Sequence, residues 1–362
     1  MCNFNSDKFL ILQTVAPDYR RKFFDVLHIS LKENFVLYAG LDYFENSVKT
    51  DKSIKYLRKA KNFYFFNRSC LFQFGMWYEA LTAKKLVLEL NPRILSNWLL
   101  LFLRRIFKKQ TILWGHAWPV SGQYSRTEII RNIMRIMADI VITYTPKQAQ
   151  DLQEKMKKKK ILVASNALYF KKEMCVFESQ DINDIIYVGR LTHRKKPLIL
   201  LKAFHRIIKE LPEKAKLVII GDGPERNKLV KLVDKFRLND RVNVLGHVGD
   251  YDILAEYYKH ALFSVSPGYV GLSITQSFGF GVPMLISEKE HHSPEIEAAR
   301  LGFNSKFFIT DDIDDLAFNI LDFYTQKKDW IKQRKLINEE CKDLYSIESM
   351  TKTFLNIATD NI

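Results

Sequence analysis

Short, wholly apolar runs alternate with longer amphipathic stretches along almost the whole chain. "FLILQTV", "FVLYAG", "KLVLEL", "QTILWGHA", "DIVITYT" and "ILVASNALY" have strand length and no polar face, the pattern of strands buried on both sides. Between them, "DYRRKFFDVLHISLKE", "NPRILSNWLLLFLRRIFKK", "SRTEIIRNIMRIMA" and "PKQAQDLQEKMKKKK" have helical character. Asn91-Pro92 predicts a cap and first turn for the second of these helices. Residues 170–184, "FKKEMCVFESQDIND", lose periodicity and gain charge, which predicts a linker. The alternation then resumes, with strands at "IIYVGRL", "AKLVIIGDG", "RVNVLGHV", "LFSVSPG" and "VPMLIS". Helices are predicted at "KPLILLKAFHRIIKEL", "PERNKLVKLVDKFRL", "YDILAEYYKHA" and "DIDDLAFNILDFYTQK". Strands alternating with helices specify parallel sheets covered on both faces. The expectation is an α/β protein of two doubly wound, Rossmann-like domains, 1–169 and 185–344, facing a central cleft.

Composition narrows the partners. The 362 residues carry 56 Lys+Arg against 41 Asp+Glu, a net charge of +15, which calls for an anionic partner or surface. Nucleic acid, acidic lipid headgroups and phosphorylated small molecules all qualify. Cys2, Cys70, Cys175 and Cys341 are far apart, with no CxxC pair, and read as free thiols. The N-terminus lacks the basic start and cleavage site of a signal peptide. The most apolar window, "WLLLFL", is too short to span a bilayer. A cytoplasmic protein is expected.

In open α/β sheets, ligands bind beyond the carboxyl ends of the strands. Three segments of the second half fall there. "YVGRLTHRKKP" brings Gly189, Arg190 and Lys195 off a strand, and "IIGDGPER" is a strand-to-helix turn. "PGYVGLSITQSFGFGVP" leads through glycines into an apolar helix without a single carboxylate. A helix start reached through glycine offers N–H groups suited to phosphate oxygens, and Arg190 and Lys195 add full charges.

These pieces, in this order, resemble the donor-binding domain of family 4 glycosyltransferases, retaining enzymes of the GT-B fold. The resemblance runs from Ile185 to about Ala299 through "VGRLTHRKKPLILLKAF", "LVIIGDGPERNKL", "RVNVLGHV", "PGYVGLSITQSFGFGVPML" and "HSPEIEAA". The first half is similar in layout only. "LYSIESMTKTFLNIA" resembles the family's last helix, so 345–362 is expected to cross back to the first domain. The resemblance implies transfer of a sugar from a nucleotide-diphosphate donor, with retention, to a saccharide or lipid-linked saccharide in cell-surface polysaccharide assembly. It implies Arg190 and Lys195 on the departing diphosphate, assisted by amides near Gly271 and Leu272, and His116 against the donor sugar. Gly189, Gly268, Tyr269, Val270, Gly271, Leu272, Gln276 and Glu295 complete the donor set. Glu295 has a second reading, as a cap for the helix after Pro294.

The family usually places two glutamates eight positions apart in the glycine segment. Here those positions hold Gly268 and Gln276. Gln276 can still hydrogen-bond a ribose hydroxyl, whereas Gly268 offers only backbone, so its N–H or a neighbour's would face the sugar. "TVAPDYRRKFFDVL" replaces the family's glycine-rich first loop, and Asp18, Arg20 and Arg21 are expected to face the cleft and bind acceptor. The acidic run at 311–315 reads as a helix cap rather than a metal site. No metal and no cofactor are expected; the nucleotide-sugar is a co-substrate. "LRRIFKKQ" after "WLLLFL", together with "KMKKKK", fits contact with an anionic membrane on its cytoplasmic face.

Two other classes compete. A nucleotide-sugar epimerase of related fold would need cleft carboxylates and no acceptor loop. A basic nucleic-acid-binding module would need aromatics interleaved with Arg and Lys, and the chain has no such pattern.

Overall fold

The computed structural model describes residues 6–45, 48–119 and 122–361; Cys2 and the first five positions lie outside them. The chain divides into two compact units, Met1–Leu168 with Ile347–Ile362, and Tyr169–Ser346.

The strands of the first unit are β1 (Ser6–Val15), β2 (Phe35–Gly40), β3 (Arg58–Lys59), β4 (Lys61–Phe65), β5 (Cys70–Phe74), β6 (Ala83–Glu89), β7 (Gln110–Trp114), β8 (Ile140–Thr143) and β9 (Lys160–Val163). Its helices before the crossing to the second unit are α1 (Arg21–Leu31), α2 (Trp77–Thr82), α3 (Leu95–Ile106), α4 (Glu128–Met137) and α5 (Pro146–Lys155). Seven strands form one parallel sheet in the order β3-β2-β1-β6-β7-β8-β9. β1 lies inside it, with Leu10 beside Val36 on one side and Leu86 on the other. The apolar runs are there because both faces of the sheet are covered. The order reverses between β1 and β6, which opens a crevice at their carboxyl ends.

Residues 41–82, which carry no clear periodicity, fold into β3, α2 and the antiparallel β4–β5 hairpin. Asn62 ties the hairpin to the carbonyls of Thr14 and Asp42. α3 begins at Leu95, later than Asn91-Pro92 predicted. The Asn91 side chain instead accepts from the Arg93 N–H, closing a local turn ahead of the helix.

The second unit comprises β10 (Asp184–Val188), β11 (Leu217–Ile220), β12 (Val242–Gly246), β13 (Ala261–Ser266), β14 (Met284–Ser287) and β15 (Ser305–Phe308). They form a parallel sheet in the order β12-β11-β10-β13-β14-β15, which reverses between β10 and β13. The helices are α6 (Pro197–Arg206), α7 (Arg226–Lys235), α8 (Tyr251–His260), α9 (Ser273–Gly279), α10 (Ile313–Thr325) and α11 (Lys327–Tyr345). The stretch read as a linker belongs to this unit. Met174 and Ile182 are buried there, and Tyr251 donates to the Glu173 carbonyl.

The final helix, α12 (Ile347–Ala358), is part of the first unit. Its Phe354 meets Phe23 and Trp114, each at 4.9 Å between ring centroids. A phenylalanine buried this completely contributes about 2–3 kcal/mol, so α12 is an integral layer of that unit.

Candidate active site

In the second unit, three loops converge where the strand order reverses. The first runs from Gly189 to Lys195 off the end of β10. It is held down on the β11 side, where Leu191 N–H donates to Asp222 O and Glu225 N–H to Leu191 O. Gly221, at φ +148°, lies where a Cβ would sit 1.8 Å from the Gly189 carbonyl oxygen, so no other residue fits the turn.

The second loop, Pro267 to Leu272, joins β13 to α9. Tyr269 N–H donates to Arg194 O at 3.0 Å. The third, around His292, clamps it from the other side. His292 Nδ1 accepts from Val270 N–H at 3.0 Å, its Nε2 donates to Ser287 O at 2.9 Å, and Ser293 N–H donates to Val270 O. This arrangement requires a neutral imidazole, and burial pushes the His292 pKa down accordingly.

The Lys195 ammonium lies 4.7 Å and the Arg194 guanidinium 5.0 Å from the Tyr269 ring centre, a cation–π pair on one ring. Arg190 is exposed beside them. Desolvation, followed by the charges of Arg190 and Arg194, lowers the Lys195 pKa to about 8, with Glu295 opposing. Three cations crowded at a strand end make a site for an anion, whose charge would offset their mutual repulsion. Glu295 is buried and accepts from the Ser293 hydroxyl within the Pro294–Ala298 turn. Its carboxylate is therefore close enough to act on Lys195, and no side-chain cap is present at the start of that turn.

Gly268 is buried under the first loop. A Cβ there would lie 2.3 Å from the Arg194 carbonyl oxygen and 3.0 Å from the Lys195 carbonyl carbon. Glycine at this position has a packing cause: the cationic loop occupies the space a side chain would need. The amides of Tyr269 and Val270 are both engaged in holding the loop, which corrects the expectation that a neighbour of Gly268 offers its N–H to the sugar. Gly271 and Leu272 lead directly into α9. Gln276, on α9, donates through Nε2 to the Tyr169 hydroxyl at 2.7 Å, so its amide is oriented from within the same unit. In the acidic run, Asp312 caps α10 by accepting from Asp314 and Asp315 N–H, and Asp311 pairs with Lys196. Among the described residues no cluster of His, Cys, Asp or Glu is placed to hold a metal.

The first unit has its own crevice of about 410 Å³ at the ends of β1, β6, β7 and β8. Arg20 and His116 line it, whereas Asp18 and Arg21 do not. Asp18 accepts from the Tyr19 N–H, and Arg21 turns to Asp25 and Ser53. The Arg20 guanidinium is pinned between Gln13 Oε1 and the Tyr144 hydroxyl, each at 3.0 Å, and lies 4.4 Å over Trp114. His116 meets Tyr144 edge-on at 4.8 Å, and its carbonyl accepts from Arg131.

Glu89 was not anticipated. It is the last residue of β6, within the run "KLVLEL", lines this crevice as the one acidic side chain among the described residues, and accepts from Thr14 N–H. Burial raises its pKa, opposed by the Thr14 amide and Arg20. The signal was present in the sequence: an acid as the last residue of an apolar strand sits at the binding end of the sheet.

Two Rossmann-like units, each with its sheet order reversing at a switch point, are the architecture of the GT-B fold. Solved structures agree in fold. Anabaena Alr3699/HepE in complex with UDP superposes with a TM-score of 0.70 at 12% identity, covering 98% of this chain and 100% of that one. The lipopolysaccharide outer core galactosyltransferase WaaB gives 0.66 at 16%, covering 98% and 99%. Residues 176–342 match the family model "Glycosyl transferases group 1". An uncharacterised glycosyltransferase of Methanocaldococcus jannaschii is 24% identical over 72% of this chain and 70% of its own length. The amylovoran biosynthesis glycosyltransferase AmsD of Erwinia amylovora is 23% identical over 62% and 58%.

Proposed function

We propose that the protein transfers a sugar, with retention, from a nucleoside-diphosphate sugar to a saccharide or lipid-linked saccharide in cell-surface polysaccharide assembly. The observation that carries this is the gathering of Arg194 and Lys195 over Tyr269, with Arg190 beside Lys195, at the β10/β13 switch point. Preorganised cations stabilise a departing diphosphate most where its charge develops. Arg190 and Lys195 hold that diphosphate, the amides of Gly271 and Leu272 assist, and Gln276 meets the ribose. Glu295 orients Lys195. The acceptor occupies the first unit's crevice, where Glu89 accepts a hydrogen bond from the acceptor hydroxyl and Arg20 and His116 frame it. The departing phosphate takes the acceptor's proton, and no metal takes part. UDP is the first nucleotide to test, because the solved relative of this fold holds it. The protein works in the cytoplasm beside the membrane that carries its acceptor.

The test is a thermal-shift series with UDP, GDP, CMP and dTDP. A concentration-dependent rise with one diphosphate supports the donor site. A folded sample that responds to none of them refutes it.

A further inference from the structure

α4 carries charge on its buried side and isoleucines on its exposed side. Beside the buried Met134, Glu128 and Arg135 are buried against each other, Arg135 donates to Ala117 O, and Arg131 donates to Leu90 O and His116 O. Its outward face carries Ile129, Ile130, Ile133 and Ile136, of which Ile129 is 69% exposed. α3 packs beside it and presents a second stripe, Leu95, Leu99, Phe102 and Ile106, all exposed at helical spacing. A surface helix normally shows the reverse pattern, and contiguous apolar surface of this kind marks a partner.

The charges beside it identify the partner. Arg105, Lys108, Lys109 and Lys159 line a cavity of about 590 Å³ where α3 and α4 end. Arg105 and Lys159 both donate to the Ile136 carbonyl, which joins the basic cluster to the apolar face. Asp139, the acid in that lining, accepts from the Thr111 N–H. Arg104, which the sequence grouped with this basic run, points inward and donates to the carbonyls of Ala80, Ala83 and Gln110. Among the described residues no helix is long and apolar enough to cross a membrane.

We infer that the α3–α4 face docks on an anionic phospholipid bilayer, with isoleucine, leucine and phenylalanine side chains at the acyl boundary and the cationic cavity receiving lipid phosphates. This deepens, and rests on, the reading above that the protein works beside a membrane. An apolar stripe edged by cations matches an anionic bilayer in both hydrophobicity and charge. An interface with a second copy would not call for four cations on one edge.

The test is flotation of the full chain with vesicles of equal parts phosphatidylcholine and phosphatidylglycerol, and with phosphatidylcholine alone. Binding to the mixed vesicles, weakened by salt and lost without phosphatidylglycerol, is expected. Phe102→Asp and Ile133→Asp should each weaken it about tenfold, and Lys108→Gln and Lys109→Gln about fivefold each. Unchanged binding in the Phe102→Asp/Ile133→Asp pair, or no binding by wild type, overturns the inference. So does a dimer on gel filtration that these substitutions dissociate, because the face then belongs to a second copy. The UDP thermal shift is read on the same samples. No vesicle binding by wild type with that shift intact defeats the docking face alone, and wild-type vesicle binding without the shift defeats the donor assignment alone.

Discussion

The two units share one topology and differ in what they place at its switch point. In the first, the crevice between β1 and β6 is walled by aromatic rings, and its charges are locked: Arg20 is stacked on Trp114 and bonded on both sides, and Glu89 is tied to Thr14 N–H. In the second, the corresponding position between β10 and β13 carries three cations on a single loop, with the Tyr269 ring and the Glu295 carboxylate beside them. A locked, mixed crevice suits a neutral polyhydroxyl ligand. Crowded like charges suit a ligand that arrives with two phosphates and relieves their repulsion. On the function proposed above, the same fold separates recognition of sugar hydroxyls from stabilisation of a leaving group through a few residues at strand ends.

The largest break in this contrast comes from the cations. Arg190→Ala and Lys195→Ala should each reduce kcat about 10²–10³-fold and remove most of the UDP thermal shift; wild-type turnover in both would refute the assignment. Glu89→Gln should do the opposite, keeping the UDP shift while lowering kcat/KM for acceptor about 10–100-fold. A parallel loss of UDP binding would show that the two crevices are not separable in this way.

Gly268→Glu adds a carboxylate to the loop but drives a Cβ into the Arg194 carbonyl. It should lower stability by about 1–3 kcal/mol, measured by chemical denaturation, and weaken UDP rather than strengthen it. The pH effect is smaller. Because the Lys195 pKa is held at about 8, UDP affinity should fall as pH rises past 8, by no more than about tenfold per unit. Stability moves the other way. The unfolded chain keeps this proton up to the ordinary lysine value, so folding stability rises with pH between about 8 and 10.5 and is penalised throughout the range below 8. Calorimetric titration of UDP on either side of pH 8 distinguishes the two. The mildest change is Gln276→Glu. Its hydrogen bond to Tyr169 is replaced by a carboxylate accepting from that hydroxyl, and kcat should stay within about threefold, an exchange of one hydrogen bond for another.

Much of this was legible in local pattern. Fully apolar runs such as "LVII" and "FLILQTV" imply double-sided burial, and strand–helix alternation implies parallel sheets, so both doubly wound units and the strand ends bearing Gly189, Arg190, Lys195 and His116 follow from periodicity and spacing. Glu89 carried the same positional signal in a run otherwise read only as core. The hairpin at 61–74 has no periodicity of its own, because its position is set by contacts with Asp42 and Thr14 rather than by a buried face.

Other features depend on residues distant in sequence. Gly268 must be glycine because Arg194 and Lys195, more than seventy positions earlier, pack against it. His292 matters through one bond to Val270. Arg104 and Arg105 are neighbours of identical charge, yet one caps buried carbonyls and the other borders a cavity. Composition and periodicity report which residues prefer burial and on which face. The atom a buried polar group meets, and the space a neighbour leaves, are set when separate elements pack, and no local pattern encodes them.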